Sequence, residues 1–204
     1  MNSKTIIASL GLLGLSCTAQ ATQSPWGYYN PQSYSPRYDS TFGASIKGVY
    51  AWATNEIDPD MYGYQLGLHA NIETGSIFHE LSLNTGLLHG SQTYLGMFTD
   101  GSIGSLKLSV DVIPLMFGYT FNAPISEVAT FYIGGKMGAS VIEGKLSTSE
   151  GSIKTSESFF SFSGLIGFKF AIGEKTDIVI GYELYKIENA DPFHAITMGV
   201  SWMF

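Results

Sequence analysis

Apolar and polar residues alternate along most of the chain, and the final stretch, residues 193–204, shows the pattern most simply. Its apolar positions are Ile196, Met198, Val200, Trp202 and Phe204, and the positions between them are Ala195, Thr197, Gly199, Ser201 and Met203. Successive side chains of a β-strand point to opposite faces, so this pattern predicts a strand with one apolar and one small, mostly polar face. Transmembrane barrels are built from such strands, with the apolar face toward lipid and the polar face toward the lumen.

Seven more stretches with the same period precede it, near residues 41–53, 61–72, 77–88, 105–121, 130–142, 158–172 and 177–187. The alternation blurs around Ile113-Pro114-Leu115, where we predict a bulge because proline cannot donate to a sheet ladder. Connections at 73–76, 122–129 and 173–176 alternate with mostly longer ones at 54–60, 89–104, 143–157 and 188–192. This alternation is typical of outer-membrane barrels, in which short turns face the periplasm and long loops face outside.

Seven charged residues lie in or near the middles of the predicted strands, and we assign all of them to the polar face: Lys47, Glu80, Lys107, Asp111, Lys136, Lys169 and Glu183. A lysine or arginine on the lipid face at mid-membrane would cost roughly 2–4 kcal/mol. Isolated buried charges are also costly, so we predict that these residues pair in a polar network inside the barrel. Eight strands enclose an interior that side chains fill. The sequence therefore predicts an all-β fold, an antiparallel up-and-down eight-stranded transmembrane β-barrel with a filled polar lumen.

The composition supports a membrane barrel over a soluble sandwich. Charged residues make up only 13% of the chain and aromatic residues 14%, whereas about 25% of residues are charged in an average globular protein. Aromatic residues also gather near the predicted strand ends, as interfacial girdles require. The net charge of −7 argues against a nucleic-acid partner, because such binding depends on lysine and arginine neutralising phosphates.

The N-terminal part divides into two segments before the barrel of residues 41–204. Residues 1–21 have a lysine, a short apolar run and an Ala19-Gln20-Ala21 cleavage site, which predicts a secretory signal peptide. Cys17 is the only cysteine and lies inside that segment; lipidation of Cys17 is the alternative use of it. Residues 22–40 are rich in Pro, Tyr and Ser and lack an apolar period, so we expect an irregular arm.

Few residues indicate catalytic or metal chemistry. The histidines, His69, His79, His89 and His194, are far apart and lack metal-ligand spacing. His194 has Glu188 and Asp191 nearby in sequence, but Ala195-Ile196 follows it, whereas lipid A deacylases have a His-x-Ser pair. We therefore expect no enzymatic activity, no metal and no cofactor. A lipid-modifying enzyme of the outer membrane and a narrow small-solute channel remain as alternatives. Residues 54–60 are acidic, which suits either a solvated loop or a weak divalent-cation site.

Residues 89–104 form the longest predicted connection and contain the apolar residues Tyr94, Leu95, Met97 and Phe98. Loops on a rigid scaffold are where binding usually takes place. We predict that these four residues form a surface loop contact for a ligand, or else pack across the barrel mouth.

Two hairpin strands and the C-terminus resemble a known superfamily. Ile113-Pro114-Leu115-Met116-Phe117-Gly118-Tyr119-Thr120-Phe121 and Phe131-Tyr132-Ile133-Gly134-Gly135-Lys136-Met137-Gly138-Ala139 look like the middle hairpin of small barrels of the OmpX/OmpA-like and opacity type. The ending Gly199-Val200-Ser201-Trp202-Met203-Phe204 is similar to the signal read by the outer-membrane assembly machinery, with Trp202 and Phe204 as its aromatic residues.

The resemblance implies a monomeric protein of the cell outer membrane in a Gram-negative-type envelope. Members of the superfamily act in adhesion, complement resistance, envelope integrity or lipid modification, and the barrel alone does not select among these roles. We expect a non-enzymatic envelope-structural or surface-interaction role through the extracellular loops. The expected partners are outer-membrane lipids and lipopolysaccharide, the assembly machinery and a host or surface ligand.

Overall fold

The chain forms a closed antiparallel barrel of eight strands. A computed structural model describes residues 42–53, 59–74, 77–97, 103–148 and 151–204. The strands are β1 (Phe42–Ala53), β2 (Met61–Thr74), β3 (Ile77–Met97), β4 (Ile103–Pro124), β5 (Ala129–Thr148), β6 (Gly151–Ala171), β7 (Thr176–Ile187) and β8 (Phe193–Met203). The predicted fold class is confirmed. The predicted signal peptide and irregular arm lie outside the described residues. Within the described ranges, no helix is long and apolar enough to cross a membrane.

The last strand closes the barrel against the first. β8 pairs with β1 from Gly43↔Met203 to Ala53↔Phe193, and the Phe204 amide donates to the Phe42 carbonyl oxygen at 3.0 Å. The start of β1 and the end of β8 therefore lie at the same rim of the barrel. The connections β2–β3, β4–β5 and β6–β7 are at this rim too. We call this rim the terminal end and the opposite rim the loop end.

Four neighbouring strands extend past the others at the loop end. β3 to β6 have 20 to 22 residues each, against 11 to 14 in the other strands. The excess forms two long hairpins, β3–β4 and β5–β6, which we call the projecting wall. At about 3.3 Å per residue, the seven β3 residues beyond Gly90, its last partner to β2, add roughly 20 Å along the strand.

The projecting wall corrects two loop predictions. Most of residues 89–104 and 143–157 is paired strand: Ser91↔Ser109 to Met97↔Ile103 in one hairpin, and Glu143↔Ser156 to Thr148↔Gly151 in the other. These segments are rich in Gly, Ser and Thr, a composition that resembles loops. They form strands despite this composition, because each hairpin continues the backbone hydrogen-bond ladder of the barrel strands beneath it.

The predicted bulge at Pro114 is absent. β3 and β4 pair as Thr85↔Leu115 below and Leu88↔Val112 above, so two residues lie between the pairs on each strand and no residue is inserted. Proline removes a donor and breaks the ladder locally, while Pro114 still pairs with Ser140 on the other side. The in-and-out order of side chains therefore continues unchanged along β4.

In the projecting wall, the polar and apolar residues exchange faces. The outer face becomes polar and the inner face becomes apolar. Near the barrel middle, Leu115 and Phe117 of β4 are exposed on the outer face. Four to eight residues before Leu115 in the same strand, the outer face holds Lys107, Ser109 and Asp111, while Leu106, Leu108, Val110 and Val112 face inward. The prediction that Lys107 and Asp111 belong to the lumen is therefore wrong. The outside medium changes from lipid to water along the strand, so apolar residues move to the inner face.

Ion pairs and hydrogen bonds fill the middle of the barrel. Lys136 Nζ donates to Glu183 Oε2 at 2.7 Å and to Gln65 Oε1 at 3.0 Å. Ser163 Oγ donates to the other oxygen of Glu183 at 2.6 Å. Both charged side chains are about 95% buried. Since an uncompensated buried charge is costly, this cluster is stable only as a complete set.

A second polar layer lies nearer the terminal end. Lys169 Nζ donates to Glu80 Oε2 at 2.5 Å, and the His69 ring contacts the Ser201 hydroxyl at 3.3 Å. Lys47 and these residues line a cavity of about 20 Å³, which has room for about one water molecule. Polar side chains therefore close this part of the lumen.

Apolar side chains fill the lumen at the loop end. Val49, Met61, Leu88, Val112 and Met116 are buried there together with residues of β7 and β8. The rings of Tyr185 and Phe193 stack with centroids 4.7 Å apart. The filled lumen is thus polar in the middle and apolar at its outer mouth, a division that the sequence did not predict.

Removing one partner of the central ion pair should destabilise the barrel strongly. We expect Lys136→Met to lower the free energy of unfolding by about 3–5 kcal/mol, because Glu183 is then buried without a cation. The double variant Lys136→Met/Glu183→Gln should recover most of this loss. Denaturant titration of the refolded protein, followed by tryptophan fluorescence, measures both. Lys154→Met, at an exposed position, is the control; equal stability of the Lys136 and Lys154 variants would contradict the central role of the pair.

The filled lumen predicts a barrel that does not conduct. Purified protein inserted in a planar bilayer should give no large steady current at moderate voltage, because polar layers and the apolar cluster occlude the path. A general porin inserted under the same conditions is the positive control. A stable large conductance would show that the lumen opens.

Candidate functional site

Five of the seven predicted network residues lie inside the barrel. Lys47, Glu80, Lys136, Lys169 and Glu183 all point inward, and four of them form the pairs Lys136–Glu183 and Lys169–Glu80. Lys107 and Asp111 do not join them, because both are on the outer face of the projecting wall. The interior pairs are enclosed by the barrel, so contact with a partner must involve the rims, the wall or the lipid-facing surface.

The projecting wall has two strand edges that no described strand covers. β3 residues 91–97 pair only with β4, because β2 ends its pairing at Met61↔Gly90. β6 residues 151–159 pair only with β5, because β7 begins its pairing at Ser161↔Ile187. Residues 151–158 are exposed. Such edges present backbone donors and acceptors in the geometry of a strand.

The outer face of the wall carries its polar residues in rows that run across the strands, as set by the register. The lowest row runs Tyr62, His89, Asp111, Glu143 and Ser156 from β2 to β6. The row above it runs Ser91, Ser109, Lys145 and Lys154, and the next runs Thr93, Lys107, Ser147 and Ser152. An acidic row thus lies beside the apolar belt, and a basic row lies one step farther out.

His89 and Asp111 form a hydrogen-bonded pair in the lowest row. The Nδ1 of His89 donates to Oδ1 of Asp111 at 2.6 Å, and both side chains are more than one-third exposed. The Tyr62 ring packs edge-on against the imidazole, with centroids 5.8 Å apart. Because Nδ1 faces the carboxylate, Nε2 is the ring nitrogen left to act on another group.

Ser91 lies two residues after His89 on the same face of β3 and is exposed. His89-Gly90-Ser91 is a His-x-Ser sequence, so the expectation from sequence that the chain lacks the deacylase-type His-x-Ser pair is wrong. The carboxylate partner is 22 residues away in sequence and becomes a neighbour only through the β3–β4 register. The tripeptide was readable in the sequence, whereas the choice of Asp111 needed the register.

The other outward-facing histidines have tyrosine partners. His194 lies on the outer face between Trp52 and Tyr182, stacked on the Trp52 ring at 5.6 Å, and its Nδ1 bonds the Tyr182 hydroxyl. His79 Nδ1 bonds the Tyr119 hydroxyl at 2.6 Å near the terminal end. The sequence suggested that Glu188 or Asp191 could orient His194. In the structure, a tyrosine hydroxyl takes the Nδ1 position instead.

The predicted surface contact lies on a strand hairpin. Tyr94, Leu95 and Met97 belong to β3 near its end, and Tyr94 is half-buried on the inner face. Phe98 lies outside the described residues. Of the acidic stretch 54–60, only Pro59 and Asp60 are described, and the Tyr50 hydroxyl donates to Asp60 at 2.6 Å. In the described ranges, no three His, Cys, Asp or Glu side chains converge as metal ligands do.

A depression of about 310 Å³ lies on the projecting wall where the acidic and basic rows meet. Its lining includes Asp111, Glu143, Lys145 and Lys154. Lys145 and Lys154 are directly opposite each other in the β5–β6 ladder. Like charges in that position destabilise a sheet unless an anion lies near them. The outer face of the wall therefore combines a histidine–carboxylate pair, exposed serines and closely spaced lysines.

Several solved structures to which this chain is similar are bacterial proteins of low sequence identity. Ail of Yersinia pestis, in complex with the heparin analogue sucrose octasulfate, is 16% identical, with 81% of this chain and 97% of that chain aligned at a TM-score of 0.48. Neisserial surface protein A is 12% identical, with 80% and 96% aligned at 0.46. The outer membrane protease OmpT of Escherichia coli is 10% identical, with 86% and 100% aligned at 0.48.

No curated protein sequence matches the chain. A family model described as the outer membrane protein beta-barrel domain matches residues 7–204, nearly the whole sequence. The protein therefore belongs to the outer membrane protein β-barrel family and lies in the outer membrane.

Proposed function

We propose that this protein acts at the cell surface through its projecting wall, in an adhesion-type or envelope-structural role. The observation that carries the proposal is the pair of long strand edges at the loop end, β3 residues 91–97 and β6 residues 151–159. With the terminal end toward the periplasm, the wall extends outside the cell. A rigid sheet with uncovered edges can bind an extended polypeptide by strand addition, a common mode of recognition.

The β6 edge has the more exposed side chains. Ile153 on its inner side is 68% exposed, and Lys154 and Ser156 face outward. An added strand would place alternate side chains on these two surfaces. The matching partner is an extended segment with apolar residues on one face and polar or acidic residues on the other.

The apolar residues predicted from the sequence, Tyr94, Leu95, Met97 and Phe98, supply a second contact in this proposal. Aromatic and other large apolar residues are common anchors of protein interfaces. In this proposal they bind the partner at the end of the wall, while the β6 edge adds backbone hydrogen bonds.

Two further partners, membrane lipid and the assembly machinery, follow from the location of the barrel in the outer membrane. Apolar side chains around the barrel middle, such as Leu66, Leu83, Phe117 and Phe162, are more than 40% exposed and contact lipid. A barrel has no uncovered edge within the membrane, which is consistent with a monomer. The C-terminal strand, with Trp202 and Phe204, serves in this proposal as the signal for the assembly machinery.

A charge at the C-terminus should impair assembly. We expect Phe204→Asp to lower the outer-membrane level several-fold, because the terminal aromatic is the residue that the machinery is proposed to read. Cell fractionation and immunoblotting measure the level. Phe42→Asp is the matched control, since Phe42 is similarly exposed beside Phe204 at the same rim. A normal level of the Phe204 variant would rule out the signal, and an equal loss in both variants would assign the effect to the rim.

Shortening each hairpin separately should locate the contact surface. One variant replaces residues 146–153 by Asn-Gly and removes the pairs Leu146↔Ile153 to Thr148↔Gly151. The other replaces residues 95–105 by Asn-Gly and removes Leu95↔Ser105 to Met97↔Ile103. Asn-Gly is a good two-residue hairpin turn. Binding of outer-membrane vesicles to cultured cells and to matrix-protein coats should fall at least tenfold (about 1.4 kcal/mol).

Comparison of the two variants separates the parts of the proposal. Loss in the first variant supports strand addition at β6, and loss in the second supports the contact through residues 95–98, since Tyr94 is retained in that variant. Equal amounts of folded protein, shown by the band shift on unheated gels, are the control for assembly. Vesicles that bind equally well with both hairpins shortened would contradict the surface-interaction role.

A further inference from the structure

We propose that Ser91, His89 and Asp111 form a hydrolytic site for the acyl esters of anionic outer-leaflet lipids. The proposal goes beyond the interaction role, does not depend on it, and departs from the expectation that the protein has no enzymatic activity. It rests on the geometry of the histidine–carboxylate pair, its level on the barrel and the charges beside it.

The His89–Asp111 pair has the orientation that base catalysis requires. Asp111 accepts from Nδ1 of His89 at 2.6 Å, which fixes the ring and leaves Nε2 as the nitrogen that can act as a base. The other outward-facing histidines, His79 and His194, bond tyrosine hydroxyls through Nδ1. A tyrosine hydroxyl does not stabilise an imidazolium as a carboxylate does. His89 is thus distinguished by its partner.

Ser91 is the hydroxyl placed to act as nucleophile. It lies one same-face step from His89, about 6.6 Å between Cα atoms, and the two side chains point in the same direction from the sheet. No hydrogen bond joins them in the structure, and contacts between nucleophile and base are often loose before substrate binds. Ser109 lies directly across from Ser91, so its hydroxyl is available to donate to the carbonyl oxygen of a substrate.

The pair lies at the level where lipid esters are found. The outer positions immediately below it are Leu87, Ile113 and Val141, which belong to the apolar belt. His89 and Asp111 are the first polar outer residues above that belt on β3 and β4. The ester linkages of a membrane lipid lie between its acyl chains and its headgroup. A lipid packed against the belt therefore presents its esters to His89 and Ser91 without leaving the membrane.

The basic row specifies an anionic headgroup. Lys145 lies two strands from Ser91 in the same row, at about 10 Å given the usual strand spacing, and Lys154 lies directly opposite Lys145. Neither lysine makes an ion pair with a described residue. A phosphate bound between them would relieve their repulsion through charge-assisted hydrogen bonds. The substrate class is thus an acyl ester of a phosphate-bearing lipid.

The reaction needs only lipid and water. Ser91 Oγ attacks the ester carbonyl carbon as His89 Nε2 takes the hydroxyl proton, giving a tetrahedral intermediate. The bond to the lipid alkoxide breaks, and His89 returns the proton to it, leaving an acyl-serine. Water then attacks this ester with His89 again as base. The products are a free fatty acid and a lipid with one hydroxyl more and one acyl chain fewer. Asp111 is a positioning residue that stabilises the imidazolium.

The test uses refolded full-length protein in vesicles of defined lipid. One set contains lipid A, a second contains phosphatidylglycerol and a third contains only phosphatidylcholine. Released fatty acid is measured by mass spectrometry, and a fluorophosphonate probe marks a reactive serine. We expect release from at least one anionic set, with the probe on Ser91. Release from lipid A alone identifies a phosphorylated glycolipid as the substrate, and release from phosphatidylglycerol alone identifies a glycerophospholipid. Equal release from phosphatidylcholine would overturn headgroup selection.

Matched variants test each residue in folded protein, checked by the gel shift. Ser91→Ala and His89→Gln should each lower the rate at least about 100-fold. Asp111→Asn should lower kcat with little change in KM, as expected for a residue that acts through His89. Ser152→Ala, at an exposed serine of the same outer face, and His194→Gln are the controls and should retain labelling of Ser91 by the probe. No release and no labelling by folded wild-type protein, or release unchanged in Ser91→Ala, would overturn the proposal.

Discussion

The alternation of side chains along an unbroken strand is the constraint on which the rest of this structure depends. A strand cannot change which residues face outward unless a residue is inserted, and the β3–β4 register shows no insertion at Pro114. The medium around the barrel nevertheless changes from lipid to water along β3 to β6. The sequence meets both conditions by reversing polarity: Leu115 and Phe117 occupy outer positions below the boundary, and Lys107 and Asp111 occupy outer positions above it.

The same reversal accounts for the composition of the lumen. In the middle of the barrel the outer face must be apolar, so polar residues are inward, and Lys136 and Glu183 pair there. At the outer mouth the outer face is polar, so Val112 and Met116 are inward and join a buried apolar cluster. An ion-pair layer and a hydrophobic plug therefore occupy successive levels of one channel. Their order is dictated by what surrounds the barrel.

The sequence predicted most of the architecture because that architecture depends on local periodicity. All eight strands and five inward charges followed from a period of two. The predictions failed where correct assignment needed pairing between distant residues. Lys107 and Asp111 were assigned to the lumen because they alternate with apolar residues that were taken to face lipid. In that part of β4 the apolar residues face inward, so the assignment was reversed. Residues 89–104 looked like a loop because glycine and serine carry little strand signal, yet the pairing with β4 continues through Ser91↔Ser109. Asp111 becomes a neighbour of His89 only through that register.

The level at which polarity reverses also has a chemical consequence. Outer side chains just below it contact acyl chains, and those just above it contact headgroups and water, so the first polar row meets the ester region of the lipid. Most polar and aromatic residues suited to that level would serve only as anchors at the membrane surface. His89 and Asp111 differ because their hydrogen bond fixes the ring of a base on the same face as an exposed hydroxyl two residues along the strand. A barrel needs no cleft for such a site, since the membrane itself confines the substrate to the surface of the strands. The barrel then has only to hold the base and the hydroxyl at the depth of the esters, and the fixed register of β3 and β4 provides that depth.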